Sequence, residues 1–418
     1  MATFKHTLFF FLLITQICSA QWVLQSSPTV NTLYAVSFTD AYTGTAVGAS
    51  GIIIHTTDGG VNWVLQTSGT TNDLRSVIFT DANTGTAVGF GGTILRTTNG
   101  GVSWASQSSG TTSNLWGVFF TDANTGTAVG GMGMTSSTIL RTIDGGLNWT
   151  SQSSGIMSSL FGVSFTDANT GTAVGLLGKI VRTTDGGTNW TSQASGTGSI
   201  LFDVFFTDTN IGTVVGFEGT TILRTTNGGT NWSNQSSGTT AELYDVCFTD
   251  ADNGTVVGWD GTILRTTNGG VNWASQSSGT LNYLWGVCFT DVNTGTVVGD
   301  FGTILRTDNG GVVEFKDDIT TLALSEFSLV QNYPNPFNPS TRIKYSVPFV
   351  ETHRNASLLV TLKVYDILGN EIETLVNEEK PTGTYEITLY AENLPSGVYF
   401  YQLRAGDFIE TKKMVLVK

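Results

Sequence analysis

The chain has 418 residues, a formal net charge of −14 from 33 acidic and 19 basic side chains, and three cysteines. An acidic surface repels phosphate backbones, which argues against nucleic acid as a partner. So few cysteines argue against a disulfide-stapled fold, and a chain this long buries its core without one.

Residues 1–20 read as a secretory leader. Lys5 and His6 precede the apolar run Leu8 to Ile14, and Cys18-Ser19-Ala20 offers a small-residue cleavage site after Ala20. No other apolar run approaches the roughly 20 residues that span a bilayer, so no transmembrane segment is expected. Without Cys18 the remaining cysteines are Cys247 and Cys288. They hold one repeat position, filled elsewhere by Ser37, Ile78, Phe119, Ser164 and Phe205, and are expected to be packed free thiols.

Internal repetition dominates residues 21–313. The pattern LxxVxFTDAxTGTAVGxxGTILRTTNGGxNWxSQSSGT returns seven times, marked by Asp58, Asn99, Asp144, Asp185, Asn227, Asn268 and Asn309. A period near 40 residues implies a propeller, solenoid or array. Each unit predicts four short strands. In the third, Leu115 to Phe120 is apolar and inner, Thr127 to Gly130 is small and β-branched, and a turn with Asp122 and Gly126 separates them. Thr93 to Thr97 shows the third strand most cleanly, Asn99-Gly100-Gly101 makes a hairpin, and Val102 begins the fourth strand. The prediction is all-β: a seven-bladed β-propeller followed by a small β-sandwich.

The hairpin TTDGGVNW (Thr56 to Trp63) and its five near-copies resemble the Asp box, or BNR repeat. The seven landmark Asp and Asn side chains are then structural corner residues that satisfy turn N–H groups. Gln21 to Ser27 matches a fourth strand that has no box before it, whereas Asn309-Gly310-Gly311 is followed by Val312 without the usual Trp. The N-terminal strand is therefore expected to complete the last blade and hide the ring's edges. With its GTILRTTNGG core, the repeat region resembles the propeller family of the photosystem II assembly and stability factor. That resemblance implies the fold and does not bring photosystem assembly with it.

Residues 314–326 read as a linker, and the grammar changes in 327–418. Leu329 to Thr341 holds three prolines, an extended lead-in. Strands follow at Arg342 to Val347, Leu358 to Tyr365, Gly383 to Leu389, Gly397 to Arg404 and Phe408 to Leu416. QNYPNPFNPST, VYDILGNEIETLV, LPSGVYFYQL and the final KKMVLVK resemble, in order, the type A sorting domain of the type IX secretion system of Bacteroidota. The resemblance implies handling by the type IX machinery. It also implies removal of the tail, and a product released outside the cell or held at the outer-membrane surface.

Catalytic constellations are hard to assemble. His55, the repeats' one histidine, is read at the strand position of Leu95 and Leu140, and with it alone no Ser-His-Asp or Cys-His triad forms. No metal cluster or cofactor motif stands out. Arg96, Arg141, Arg182, Arg224, Arg265 and Arg306 recur at one place, which suggests a structural bond to a turn Asp or carbonyl.

Variation among repeats marks a face instead. First-strand entrances carry Tyr34, Arg75, Trp116, Phe161, Phe202, Tyr244 and Trp285. Second-to-third loops carry Phe90, Met132, Met134, Leu177, Phe217, Trp259 and Phe301, with Asp203, Glu218, Glu242, Asp245, Asp260 and Asp300 nearby. The expected function is a non-catalytic extracellular binding module for a protein or glycan. Trp259, Trp285, Phe217, Tyr244 and Trp116 would make contact, and Asp260 and Asp300 would orient the ligand. The alternative is a glycoside hydrolase with Asp260 and Asp300 as its carboxylate pair.

Overall fold

The computed structural model describes residues 22–217, 221–311, 327–348, 358–381 and 383–418. The expected leader, the linker and Glu218 lie outside them.

Alternating small and β-branched residues between turn signals make each repeat a four-stranded antiparallel sheet. In the third these strands are Asn114–Phe120, Gly126–Met132, Ser136–Thr142 and Thr150–Gln152, paired in that order. Seven such sheets form the ring. The second strands, Gly-Thr-(Ala/Val)-Val-Gly, are buried at every residue because sheets cover both their faces. The fourth strand begins one residue after the Trp, at Ala105–Gln107 in the second blade, later than the pattern suggests. The residues before it stay in the hairpin because Asn99 Oδ1 accepts the Ser103 N–H at 3.0 Å and Thr97 Oγ1 accepts the Gly101 N–H at 2.9 Å.

The last blade, Leu284–Phe289, Gly295–Gly299 and Ile304–Thr307, takes its fourth strand from Val23–Leu24. Val23 pairs with Arg306 and Leu24 with Leu305. The last sheet thereby has four strands like the other six.

Two repeated bonds join neighbouring blades. In one, the box Trp donates to a Gln of the preceding blade, whose amide in turn donates to a box glycine carbonyl. Trp104 Nε1 reaches Gln66 Oε1 at 3.1 Å, and Gln66 Nε2 reaches Gly100 O at 3.0 Å. In the other, each repeat Arg spans to the next blade. Arg265 donates to Thr255 Oγ1 (2.8 Å) and to the Val292 carbonyl (2.7 Å), with its guanidinium 4.8 Å from the Phe289 ring centroid. Arg306 makes the same bond to Ala41 O and so spans the junction of last and first blades. The turn glycine after each Phe-Thr-Asp is required because the Phe ring lies where a Cβ would stand, as Phe120 does over Gly126.

His55 corrects one sequence reading. It pairs with Thr45 as Arg96 pairs with Thr86, so it occupies the arginine position and not that of Leu95. Its Nδ1 meets Thr45 Oγ1 at 2.9 Å, but the imidazole is too short to cross to the next blade. The first-to-second junction is therefore the one without the arginine bond.

The C-terminal unit has a three-stranded sheet, Ser328–Leu329, Ser340–Val347 and Gly383–Tyr390. Its four-stranded sheet holds Glu371–Lys380, Leu358–Tyr365, Gly397–Ala405 and Phe408–Leu416. Ile343, Tyr345, Val360, Leu362, Leu389, Tyr401 and Leu403 fill the space between. Glu371–Lys380 was not expected as a strand, because its burial pattern is mostly exposed and its charge hides the alternation. The proline-rich lead-in bends between single bridges at Tyr333 and Phe337 and does not run extended; all three of its X-Pro peptides are cis.

Candidate binding site

Every first strand carries a β-bulge at the same place, between Leu33 and Ala35 in the first blade and between Leu284 and Gly286 in the last. A bulge re-aims the extra residue out of the alternation. The seven re-aimed residues are Tyr34, Arg75, Trp116, Phe161, Phe202, Tyr244 and Trp285. All are half-buried and line one end of a central channel of about 290 Å³.

These side chains form a closed girdle. Tyr244 stacks on Trp285 at 4.3 Å between centroids, and Trp285 meets Tyr34 edge-on at 6.0 Å. Phe202 meets Tyr244 at 5.4 Å and Phe161 at 6.1 Å, and Phe161 meets Trp116 at 5.4 Å. Arg75 fills the remaining place, its guanidinium 3.7 Å from the Tyr34 centroid and 5.2 Å from that of Trp116. Asp73 holds that cation at 3.0 Å. Tyr244 donates to Glu242 Oε2 at 2.9 Å, and burial with this acceptor raises its pKa.

Trp285, Tyr244 and Trp116 thus come together as girdle members. Trp259 joins from the rim through Tyr283, 5.5 Å from Trp259 and 6.1 Å from Trp285. Tyr283 was not singled out in the sequence, since no other repeat has an aromatic there. Phe217 is half-buried on its loop, its N–H bonded to Ile200 O at 2.8 Å, and no ring contact links it to the girdle among the described residues.

Asp300 accepts the Trp285 indole N–H at 2.8 Å and the Thr32 hydroxyl at 3.0 Å, so it fixes the Trp285 ring. Asp260 has a left-handed φ of 52° and lines a different, shallow groove with Ser275 to Leu281. These two carboxylates have different neighbours. Another acid pair lies one step inside the girdle, where Asp203 and Asp245 are buried beside each other. Asp245 also accepts the Val287 N–H at 2.7 Å. Burial, then the neighbouring carboxylate, raises the Asp203 pKa well above the usual range, and burial raises that of Asp245. Below the pair Cys247 and Cys288 are free thiols whose sulfurs accept the Phe289 and Phe38 N–H groups; burial pushes Cys288 up to about 11.

The landmark residues do corner work. Asp144 accepts the Thr142 hydroxyl at 2.8 Å and the Asn148 backbone and side-chain N–H groups at 3.0 and 2.8 Å, which lowers its pKa to about 2. Asp58, Asp185 and Asn227 bond alike, as does Asn268, while Asn309 accepts the Thr307 hydroxyl and the Gly311 N–H.

Seven blades, box corners and an inter-blade ring of Trp–Gln bonds define an Asp-box β-propeller. The chain belongs to the photosynthesis system II assembly factor YCF48 family, which matches residues 14–153 and 232–312. Residues 331–418 match the secretion system C-terminal sorting domain, so the protein is addressed to the cell surface or beyond. No curated protein is significantly similar in sequence. Among solved structures, YCF48 bound to a D1 peptide is 21% identical with a TM-score of 0.58, over 70% of this chain and 98% of that one. Virginiamycin B lyase from Staphylococcus aureus is 14% identical (TM-score 0.60), over 69% of this chain and 99% of that one. PorZ, a surface component of the type IX secretion system of Porphyromonas gingivalis, is 12% identical (TM-score 0.53), over 94% of this chain and 60% of that one. At these identities the likeness is one of fold. No helix among the described residues is long and apolar enough to cross a membrane.

Proposed function

We propose that this is a non-catalytic binding propeller, exported by the type IX machinery and working outside the cell or at its surface. Its ligand, a protein or a glycan, docks at the aromatic mouth of the channel. The observation that carries this reading is the girdle: seven bulges aim six aromatic rings and one arginine at one opening. Rigid aromatics offer large contact area at small entropic cost, and such residues dominate binding hot spots. In the same family, YCF48 has been seen with a peptide bound, which fits a polypeptide ligand.

Hydrolysis finds less support. A glycosidase needs two carboxyl groups about 5–9.5 Å apart and free to act on one bond. Asp300 is engaged by Trp285 and Thr32, Asp260 lines another groove, and the buried Asp203 and Asp245 accept the Val246 and Val287 N–H groups. The test is to screen the purified protein against glycan and peptide arrays beside a hydrolysis assay. Binding that Trp259→Ala weakens by at least about 1 kcal/mol, with an unchanged Tm, supports the reading. Glycan turnover that Asp260→Asn abolishes while binding persists would replace it with the hydrolase.

A further inference from the structure

One step inside the girdle, the residue after each bulge is Ala35, Ser76, Gly117, Gly162 or Gly286 in five blades. In the adjacent fifth and sixth blades it is Asp203 and Asp245. Small residues suit this ring because neighbouring first strands approach closely, so that a Cβ on Gly117 would meet the Phe161 carbonyl oxygen. The architecture does not need a carboxylate here. Asp203 accepts the Val246 N–H and Asp245 the Val287 N–H, a bond that Ser76 supplies to Val118 at 3.3 Å without any charge. Ala35 and the three glycines supply no side-chain acceptor at all.

The two carboxyls also converge. The Val246 N–H donates to both, to Asp245 Oδ1 at 3.0 Å and to Asp203 Oδ2 at 3.4 Å. Among the described residues neither forms an ion pair, and the girdle's own cation, Arg75, is held by Asp73. Carboxyls gathered away from water with nothing positive beside them favour the neutral form, which is the sense of their raised pKa values. They are not sealed off. Both keep part of their surface open, and both line the channel wall. Carboxyls so perturbed in a reachable cleft are a feature of functional sites.

The mouth carries the same sign. Asp73, Glu242 and Asp300 hold Arg75, Tyr244 and Trp285, so three carboxylates stand at the girdle against one guanidinium. A negative opening draws cations and repels anions.

We propose that the channel takes a lysine side chain of a polypeptide ligand, its methylene stem against the girdle rings and its ammonium beside Asp203 and Asp245. The inference rests on the reading of the mouth as the ligand site and names what enters it. An ammonium brings three N–H donors on a compact head, which two convergent carboxyls can accept. Its unbranched stem is apolar and suits a collar of aromatic rings. Arginine carries a wider planar head, and a trimethylammonium has no N–H to donate. A neutral sugar brings no charge to offset the pair. A bare metal ion gains nothing from the collar, and no third ligating side chain joins the two carboxyls among the described residues.

The test follows the Trp285 indole resonance of the full-length protein labelled with heavy nitrogen, identified by its loss in Trp285→Phe. Probes are acetyl-Gly-Xaa-Gly-amide peptides with Xaa as lysine, acetyl-lysine or norleucine, and calcium chloride. The lysine peptide is expected to move the signal and to bind about tenfold more tightly than the other two peptides. Asp203→Asn and Asp245→Asn should each weaken the lysine peptide about tenfold and leave the norleucine peptide unchanged, with melting curves showing both variants folded. Equal binding of the lysine and norleucine peptides, or full lysine affinity in both variants, would overturn the proposal. A signal that calcium moves and the lysine peptide does not would make the pair a metal-ion site instead. If a ligand from the arrays moves Trp285 and the lysine peptide does not, the mouth stands as the site and the lysine proposal fails. If neither moves it, the reading of the mouth fails as well.

Discussion

Trp22 donates its indole N–H to Gln276 Oε1 at 2.9 Å, across 254 residues of sequence. The bond repeats those of Trp63 to Gln25 and Trp104 to Gln66, and Trp22 lies edge-on to Phe289 as Trp63 does to Phe38. Trp22 thus takes the place of the tryptophan absent after Gly311. Trp22→Ala should destabilise the propeller by about 3–5 kcal/mol, as large core truncations do. Trp22→Phe, which keeps an aromatic ring and loses the bond, should cost about 1 kcal/mol. Denaturant unfolding measures both. An unchanged midpoint for Trp22→Ala would mean that another segment closes the ring.

The first-to-second junction should be improvable. Arginine at position 55 would pair with Thr45, reach the Ala82 carbonyl and lie over Phe79, as Arg96 does with Thr86, Ala123 and Phe120. His55→Arg is expected to stabilise by about 1–2 kcal/mol. The gain should grow in mild acid. Burial lowers the His55 pKa, so the unfolded chain protonates first, and the wild type loses stability as pH falls below about 6.5. Melting curves of both proteins at several pH values decide it; a lower Tm for the arginine variant at every pH would contradict the geometry.

The Asp203–Asp245 pair makes stability fall as pH rises. Both folded pKa values lie above the unfolded ones, so the native state holds the extra proton. The associated stability is full below about pH 4 and is lost as pH climbs through the raised values. Asp203→Asn keeps an acceptor near the Val246 N–H and removes one ionisation. The variant should exceed the wild type in Tm at neutral pH and lose that advantage near pH 4. A wild-type advantage at neutral pH would mean the pair is ionised and otherwise compensated.

The sorting domain makes a cellular prediction. Deleting residues 327–418 should hold the propeller in the periplasm, read by fractionation and immunoblot of cells and medium. Normal amounts at the surface or in the medium would show that export does not depend on the tail.

Much of this fold was legible because repetition multiplies weak signals. One Asp-Gly-Gly or Asn-Gly-Gly turn predicts a hairpin; seven such turns at near-constant spacing predict a ring. The missing Trp after Gly311 and the spare Trp22 pointed to the closing strand. Less was legible where single atoms decide. His55 was read one residue out of register because Ile53-Ile54-His55 offers no arginine to align by. Glu371–Lys380 was missed because charge masks strand alternation on an exposed edge. The entrance aromatics stood out by their variety, but only the bulges turn them inward as one girdle.

The most direct test compares ligand binding by two surface variants, one on each face of the ring. Trp285→Ala removes a girdle ring at the mouth. Val102→Glu changes a side chain that is 85% exposed on a box hairpin, at the other end of the strands. Each is titrated by calorimetry with the tightest ligand from the glycan and peptide arrays. The mouth variant should bind at least about tenfold more weakly, the loss of one hot-spot residue, and the hairpin variant should match the wild type. Full affinity in Trp285→Ala, with loss in Val102→Glu, would place the ligand on the opposite face and contradict the account.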